Sequence, residues 1–501
     1  MRAAELLGSL SLENMDPMLE ITGLTADSRE VKPGYVFGAF SGAQSDGAQY
    51  IPEACRRGAR VVLLSSAVAA KCRKEYADRE VLLLSDPNPR RRYAELVARF
   101  YGAQPEHIAA VTGTNGKTSV AEFCRQIWTL LGRRSASVGT LGVRGNQPEA
   151  SPAREGHTHT TPPPEILHPV LARLAHAGVT HVSLEASSHG LAQYRLDGVR
   201  LAAAALTNIT RDHLDYHEDA ASYMYAKLRL FGEVLRPGGV AVLNREDASY
   251  SEAEAVSWAR GHSIISVGGR YGDLRIVRSE PHGKGQRLRL AYGERQWEVA
   301  LPLIGRFQAM NTLFAAALVI GCGEDPDDVF GVLPELQGVP GRMQVAGHTV
   351  PGATVLVDYA HTPEALRTVL EAVRPFCGGR LHVLFGCGGE RDRGKRPLMG
   401  AVAQELADHV IVTDDNPRSE DPAEIRASIL AACPRATEIA GRAEAIRAGV
   451  EGLAANDMLI LAGKGHETGQ EIAGTVYPFD DAVEVRRLLG KDAEGAGHGS
   501  G

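Results

Sequence analysis

Short apolar runs alternate with stretches of helical periodicity along most of the chain, the pattern of βαβ units built on parallel sheets. Three blocks separate on this basis. In the first, about 1–104, GYVFGAF, ARVVLLS and EVLLLSDP predict strands and RRRYAELVARFYG a helix, with YGAQPEH as a linker. The second, about 105–340, opens at IAAVTGTNGKTS. Its strands are THVSLEAS, AAAALTNIT and GGVAVLN, and RLRLAYGERQWEVALPLIG predicts an antiparallel edge turning at Gly293. QAMNTLFAAALVIG predicts a helix with Met310, Leu313, Phe314, Ala317 and Leu318 on one face. After the boundary GVPGRMQV, the third block, about 341–490, offers ATVLVDYA, LHVLFGCGG, HVIVTDD and DMLILAGKG as strands. The small, polar remainder, 491–501, predicts a disordered tail.

Every strand of the third block runs into a Gly-rich or charged cluster. In open α/β sheets ligands bind outside the carboxyl ends of strands, so these clusters should line one cleft. Any one of them reads equally well as a polar turn; four together favour a site. The sharpest is HVIVTDDNPRSEDP, an exposed turn or a reader of a small ligand carrying both charge signs.

Bulk properties narrow the class. At 501 residues the chain predicts several domains, and 44% hydrophobic with 23% charged residues is ordinary for a globular protein. A formal net charge of −7 argues against a nucleic-acid partner. The seven cysteines contain no CxxC pair, which argues against a disulfide framework or structural zinc and fits a reducing compartment. MRAAELLGSLSLENMDP lacks the apolar core of a secretory signal, and no apolar run is long enough for a membrane span. These features predict a cytoplasmic chain.

The most informative segment is AAVTGTNGKTSVAEFCRQIWTLL, an apolar strand, a Gly-containing loop, then a helix. Gly113 and Gly116 let backbone amides approach phosphate oxygens, and the helix N-terminus adds its dipole. Lys117 would reach the β/γ-phosphates and the Thr118 hydroxyl would ligate Mg²⁺. The usual first glycine of GxxxxGK[ST] is replaced by Val111. A strand-to-helix setting makes a chance Gly-Lys-Thr the weaker reading.

TGTNGKTS resembles the shortened phosphate loop of the Mur ligases and folylpolyglutamate synthetases, ATP-dependent amide-forming enzymes. The resemblance runs through all three blocks and follows the Mur branch that adds the third residue to the UDP-N-acetylmuramoyl dipeptide of peptidoglycan. It implies an α/β, three-domain architecture. A uridine-nucleotide domain would span 1–104, a central P-loop ATPase-like domain 105–340, and a Rossmann-like amino-acid domain 341–490. ATP would meet Gly113, Thr114, Asn115, Gly116, Lys117, Thr118 and Ser119, with Asn311, Arg342, Asp358 and His361. Glu185 ends an apolar strand in HVSLEASSHGLAQYR, where a Walker-B-like acid meets Mg²⁺. The resemblance adds His213, and Lys227 as a carbamylated ligand. Alone, Lys227 reads as a helix-face lysine reaching for water.

The acceptor UDP-N-acetylmuramoyl-L-alanyl-D-glutamate would be held by Ala26, Ser28, Ala43, Gln44, Ser45, Thr160, Thr161, Ser187, Gln193 and Arg195. Ala43 stands where relatives often carry histidine. The HxH at His157 and His159 reads as incidental to a Pro-rich loop. The opening cluster resembles the D-N-P-R element that contacts the incoming amino acid. Arg391, Asp415, Asn416, Pro417, Arg418, Gly463 and Glu467 would bind meso-diaminopimelate, with Arg418 on its distal carboxylate. The implied reaction is ligation through an acyl phosphate by a monomer whose domains close about hinges near 105 and 340. L-Lysine as substrate, a folylpolyglutamate synthetase, and a nucleotide-binding protein without ligase activity are the alternatives.

Overall fold

The structure, a computed structural model, describes residues 1–8, 18–42, 46–72, 76, 81–146, 159–210 and 216–490. Its contacts form two compact units, Met1–Arg275 with Ala291–Glu294 and Leu313–Val332, and Ile276–Leu290 with Arg295–Thr312 and Leu333–Gly501.

The first unit contains a parallel sheet in the order β1 (Gly23–Thr25), β2 (Tyr35–Gly38), β3 (Val61–Ser65), β4 (Leu82–Asp86). A second sheet is built around β5 (His107–Thr112), β6 (Ser135–Gly139), β7 (Gly142–Gly145), β8 (His181–Glu185), β9 (Leu201–Leu206), β10 (Leu235–Asn244) and β11 (Ser263–Gly268). Their spatial order is β7-β6-β8-β5-β9-β10-β11. β8 and β9 are buried at every position, which explains their unbroken apolar sequence: helices cover both faces of a parallel sheet. β5 lies between them with Val111 opposite Glu185 and Thr112 opposite Leu206. The phosphate loop and the acid Glu185 therefore leave adjacent strand ends.

The expected antiparallel edge is β13 (Gly285–Tyr292) and β14 (Arg295–Leu301), which follow β12 (Leu274–His282) and turn at Gly293. In the second unit the order is β15 (Gln344–His348), β16 (Thr354–Asp358), β20 (Met458–Ala462), β17 (Leu381–Phe385), β18 (His409–Val412), β19 (Thr437–Glu438). β16, β20, β17 and β18 are parallel neighbours, so their four carboxyl ends open on one edge. A hairpin of β21 (Gly469–Ile472) and β22 (Thr475–Pro478) follows.

Two expectations change. The helix Arg306–Gly321 is not one-faced: residues 311–319 are buried throughout, because Ala315, Ala316 and Ala317 allow close packing where larger side chains would demand an exposed side. β1, β6, β7, β11, β12, β15, β19, β21 and β22 were not visible in the pattern. Most are too short or too polar to carry a period-two signal.

Burial also sets a pH dependence. Desolvation holds His168 and His181 down at about 4. His181 stacks on His107 at 4.6 Å, and its 3.6 Å approach to Glu324 is not an ion pair while the imidazole is neutral. Their unfolded forms, near 6.5, bind protons first. Stability contributed above 6.5 is therefore lost as pH falls toward about 4. Urea midpoints should drop across that window, and His181→Phe should flatten part of the drop.

Candidate active site

The loop after β5 is held in shape by its own chain. Gly113 has φ +146°, and a Cβ there would fall 1.9 Å from Thr207 Oγ1. Only glycine fits such a site. The Asn208 carbonyl accepts from Thr114 N at 2.8 Å and Asn208 Oδ1 from Asn115 N at 3.0 Å. Thr114 Oγ1 lies 3.0 Å from the Tyr223 hydroxyl. Thr118 and Ser119 occupy the first turn of the helix Lys117–Leu130, where amides have no carbonyl one turn back and can face an anion.

Two lysines converge here. Lys117 Nζ donates to the carbonyls of Gly113 at 2.8 Å and Thr114 at 2.9 Å. Lys227 Nζ donates to the same Gly113 carbonyl at 2.8 Å and lies 4.4 Å from the Tyr223 ring centroid. Lys227 is 1% exposed, so it is no solvent-seeking helix-face lysine.

Glu185 is the hub of the neighbouring network. It accepts from Thr118 Oγ1 at 3.0 Å, from Thr140 N at 2.8 Å and from Thr140 Oγ1 at 3.1 Å. Thr118 and Glu185 together present hard oxygens, the donor type that Mg²⁺ takes, with substrate phosphates completing its shell. Among the described residues no cluster of three or more His, Cys, Asp or Glu could hold a metal.

Beside Glu185, Thr161 Oγ1 donates to the Glu185 carbonyl at 2.7 Å and accepts from Ser187 N at 2.9 Å. Thr160 approaches Thr140 Oγ1 at 3.1 Å. Arg195 donates to Gln193 Oε1 at 2.8 Å and to the Thr161 carbonyl at 2.6 Å, across Tyr194 in the left-handed region at φ +58°. Such strain in a non-glycine residue collects at binding sites. Burial lowers Arg195 and Arg90 and raises Glu165, and these groups act on one another. Ser28 is buried at the start of a short 3-10 turn capped by Asp27, just after Ala26. Ala43, Gln44, Ser45, His157 and His213 lie outside the described residues.

In the second unit the four strand ends converge as expected. After β16, Asp358 is buried and accepts from Met343 N and Ala360 N, both at 2.8 Å; burial pushes its carboxyl up, opposed by Arg342. Arg342 lies 4.4 Å over the Tyr359 ring, and its carbonyl accepts from Gln308, whose Oε1 accepts from Asn311 at 3.1 Å. His361 Nδ1 lies 2.8 Å from the Tyr359 carbonyl.

After β17 comes the exposed Arg391, and after β18 the segment Asp415–Arg418. Arg418 takes φ +54°, its Nη1 donates to the Gly389 carbonyl at 2.8 Å, and its Nε meets Glu471 at 3.2 Å. A guanidinium has five N–H groups, so three remain, enough for a carboxylate fork. The Pro417 carbonyl lies where a Cβ on Gly389 would stand, at 2.0 Å, so the Arg391 and Arg418 loops touch through backbone. After β20, Gly463 has φ +109° with Asp415 Oδ2 2.7 Å from its missing Cβ. Glu467 accepts from Asn416 Nδ2 at 2.9 Å.

The sequence reading missed Thr140, Asn208, Tyr223 and Lys464. Each sits in an ordinary loop or helix context and reaches the site only through tertiary pairing. Only Lys464 carried a signal, its place beside Glu467 in AGKGHET.

Three family models match the chain. They are "Mur ligase family, catalytic domain" over 20–101, "Mur ligase middle domain" over 111–319, and "Mur ligase, glutamate ligase domain" over 341–465. Among curated relatives, UDP-N-acetylmuramoyl-L-alanyl-D-glutamate--2,6-diaminopimelate ligase of Rhizobium meliloti (strain 1021) is 50% identical, covering 96% of this chain and 97% of its own. The protein of the same name from Caulobacter vibrioides is 48% identical over 95% and 97%. A solved structure of a ligase of that name is 34% identical, with TM-score 0.73 and coverage of 98% and 99%. Folylpolyglutamate synthase of Mycobacterium tuberculosis, at 21% identity and TM-score 0.60 over 80% of this chain, shares the fold. The chain belongs to the Mur ligase family, on the branch whose members carry the 2,6-diaminopimelate ligase name.

Proposed function

We propose that this protein ligates meso-diaminopimelate to the D-glutamyl carboxylate of UDP-N-acetylmuramoyl-L-alanyl-D-glutamate, consuming ATP and releasing ADP and phosphate in peptidoglycan synthesis. The observation that carries the choice of amino acid is the edge of the β16-β20-β17-β18 sheet. There Arg418 keeps three N–H groups not taken by the described residues, and Arg391 and Glu467 follow the neighbouring strands β17 and β20 on the same edge. A ligand with a distal carboxylate and a distal ammonium satisfies both signs, whereas L-lysine leaves the guanidinium without an anion.

The acceptor carboxylate attacks the γ-phosphorus of ATP. Gly113–Ser119 cradle the phosphates and the Lys117 ammonium stabilises the charge that develops. Thr118 and Glu185 would hold Mg²⁺, with His213 and Lys227 as further ligands, and the ion would neutralise phosphate charge when bound. Thr160, Thr161, Ser187, Gln193 and Arg195 orient the acceptor, and Ala26, Ser28 and Ala43–Ser45 its uridine nucleotide. Asn311, Arg342, Asp358 and His361 meet the nucleotide of ATP. The amine of diaminopimelate, held by Arg391, Asp415–Arg418, Gly463 and Glu467, then displaces phosphate from the acyl phosphate through a tetrahedral intermediate.

Lys227 is proposed to work as its carbamate. Two ammonium groups on one carbonyl repel, and a carbamate on the buried lysine replaces that repulsion with attraction. The proposed domains are 1–104, 105–340 and 341–490, supported by the family matches at 20–101, 111–319 and 341–465. A monomer working in the cytoplasm completes the reading; no described helix is long and apolar enough to cross a membrane.

Purified protein with ATP, Mg²⁺ and the UDP-muramoyl dipeptide should release phosphate when diaminopimelate is added. L-Lysine should support turnover at least about a hundredfold less efficiently. Phosphate release as efficient with L-lysine, or with neither amino acid, as with diaminopimelate would sink the assignment.

A further inference from the structure

Lys464 is fully buried, at 0% exposure, in a chain position that no part of the proposed mechanism uses. Its Nζ donates to the Gly469 carbonyl at 2.6 Å, to Asn416 Oδ1 at 3.1 Å and to Glu467 Oε2 at 3.3 Å. An ammonium has three N–H groups, so all are spoken for and none is left for a ligand. Lys464 therefore acts on the pocket only through its partners.

Those partners are two of the amino-acid contacts. Asn416 Nδ2 donates to Glu467 Oε2 at 2.9 Å, while Asn416 Oδ1 also accepts from Glu471 N at 3.0 Å. The amide is thus fixed in one orientation: its oxygen is held by Lys464 and a backbone N–H, and its nitrogen is turned on Glu467. Glu467 Oε2 receives two donors, whereas Oε1 has no protein donor among the described residues. Glu467 is 35% exposed at its side chain, against 0% for Lys464, so the unfilled oxygen belongs to the open end of the pair. Gln470 closes the same ring, its Nε2 donating to the Asp415 carbonyl at 2.6 Å.

We propose that Lys464 is a positioning residue for the amino-acid substrate: it saturates one oxygen of Glu467 and locks Asn416, so that Glu467 presents its other oxygen to an ammonium of the ligand. The inference rests on the proposed function of this pocket and names how its acidic contact is set. Without the buried ammonium, Asn416 can flip and Glu467 can rotate, and the ligand must order both as it binds.

The test compares diaminopimelate with 2-aminopimelate, which keeps both carboxylates and lacks the distal ammonium. Lys464→Met in the full-length protein should raise KM for diaminopimelate between about ten- and a hundredfold, with KM for ATP within about twofold. The preference for diaminopimelate over 2-aminopimelate should shrink to that of Glu467→Gln. The double variant should be no worse than Glu467→Gln alone, since both changes remove one interaction. Lys464→Gln, which keeps an N–H for the Gly469 carbonyl, should reproduce the pattern if the methionine variant does not fold. Additive losses, or an equal loss for the two amino acids, would overturn the inference. Unfolding of both variants would also overturn it, by assigning the ammonium to the fold. The wild-type arm keeps the two proposals apart: no phosphate release with diaminopimelate there removes the proposed function, and this inference with it.

Discussion

Lys117→Met should lower kcat for phosphate release by about a thousandfold while the protein keeps its melting temperature within a few degrees. The ammonium lies on the carbonyls of Gly113 and Thr114, already at the mouth of the loop, so it needs little rearrangement to reach a terminal phosphate. A donor aimed at charge that develops only in the transition state lowers the barrier more than it tightens the ground state. The loss should therefore appear in kcat more than in KM for ATP. Methionine fills the stem's volume, and the loop keeps its anchors from Asn208, Thr207 and Tyr223, which is why stability changes little. The Gly113 carbonyl also retains Lys227 as a donor. Steady-state kinetics with a thermal melt on the same preparation checks this. A fall of less than about tenfold would remove Lys117 from the transition state.

Arg418→Ala should cut kcat/KM for diaminopimelate by at least about a hundredfold and leave ATP binding unchanged. The reason is geometric as well as electrostatic. Arg418 keeps its left-handed backbone through hydrogen bonds that alanine preserves: its N donates to the Glu471 carbonyl at 3.1 Å and its carbonyl accepts from Ala473 N at 2.8 Å. What disappears is the guanidinium, the partner of Glu471 and the proposed partner of the ligand's distal carboxylate. Arg418→Lys keeps a charge but not a fork and should fall between the two. Competition of lysine against diaminopimelate reads the result. If the Ala variant discriminates as well as wild type, TDDNPRSEDP is a turn.

The phosphate loop was legible because every part of it is local. Strand, glycines, Lys117, Thr118 and helix occupy one short stretch, and steric and dipole rules fix how such a stretch behaves. The β8 and β9 runs were legible for a related reason: burial on both faces demands continuous apolar sequence. The DNPR segment was legible only as a charged strand end, and its meaning came from resemblance to a family. The weak spots were short or polar strands such as β7 and β21, where too few residues exist to display a period, and the helix Arg306–Gly321, whose small residues permit burial on all sides.

The sequence by itself determined the α/β class, the phosphate-binding turn and the residue types offered at each strand end. Tertiary structure decided which of those ends meet. The order β16-β20-β17-β18 makes neighbours of strands separated by most of the unit's sequence, so Asp415–Arg418, Arg391 and Glu467 share one edge. No periodicity records strand order, because it is chosen by how faces pack across long loops. The same holds for Thr140 on Glu185 and for Lys464 under Glu467. A buried lysine and a surface lysine look alike in a sequence, and only the fold takes water away from one of them.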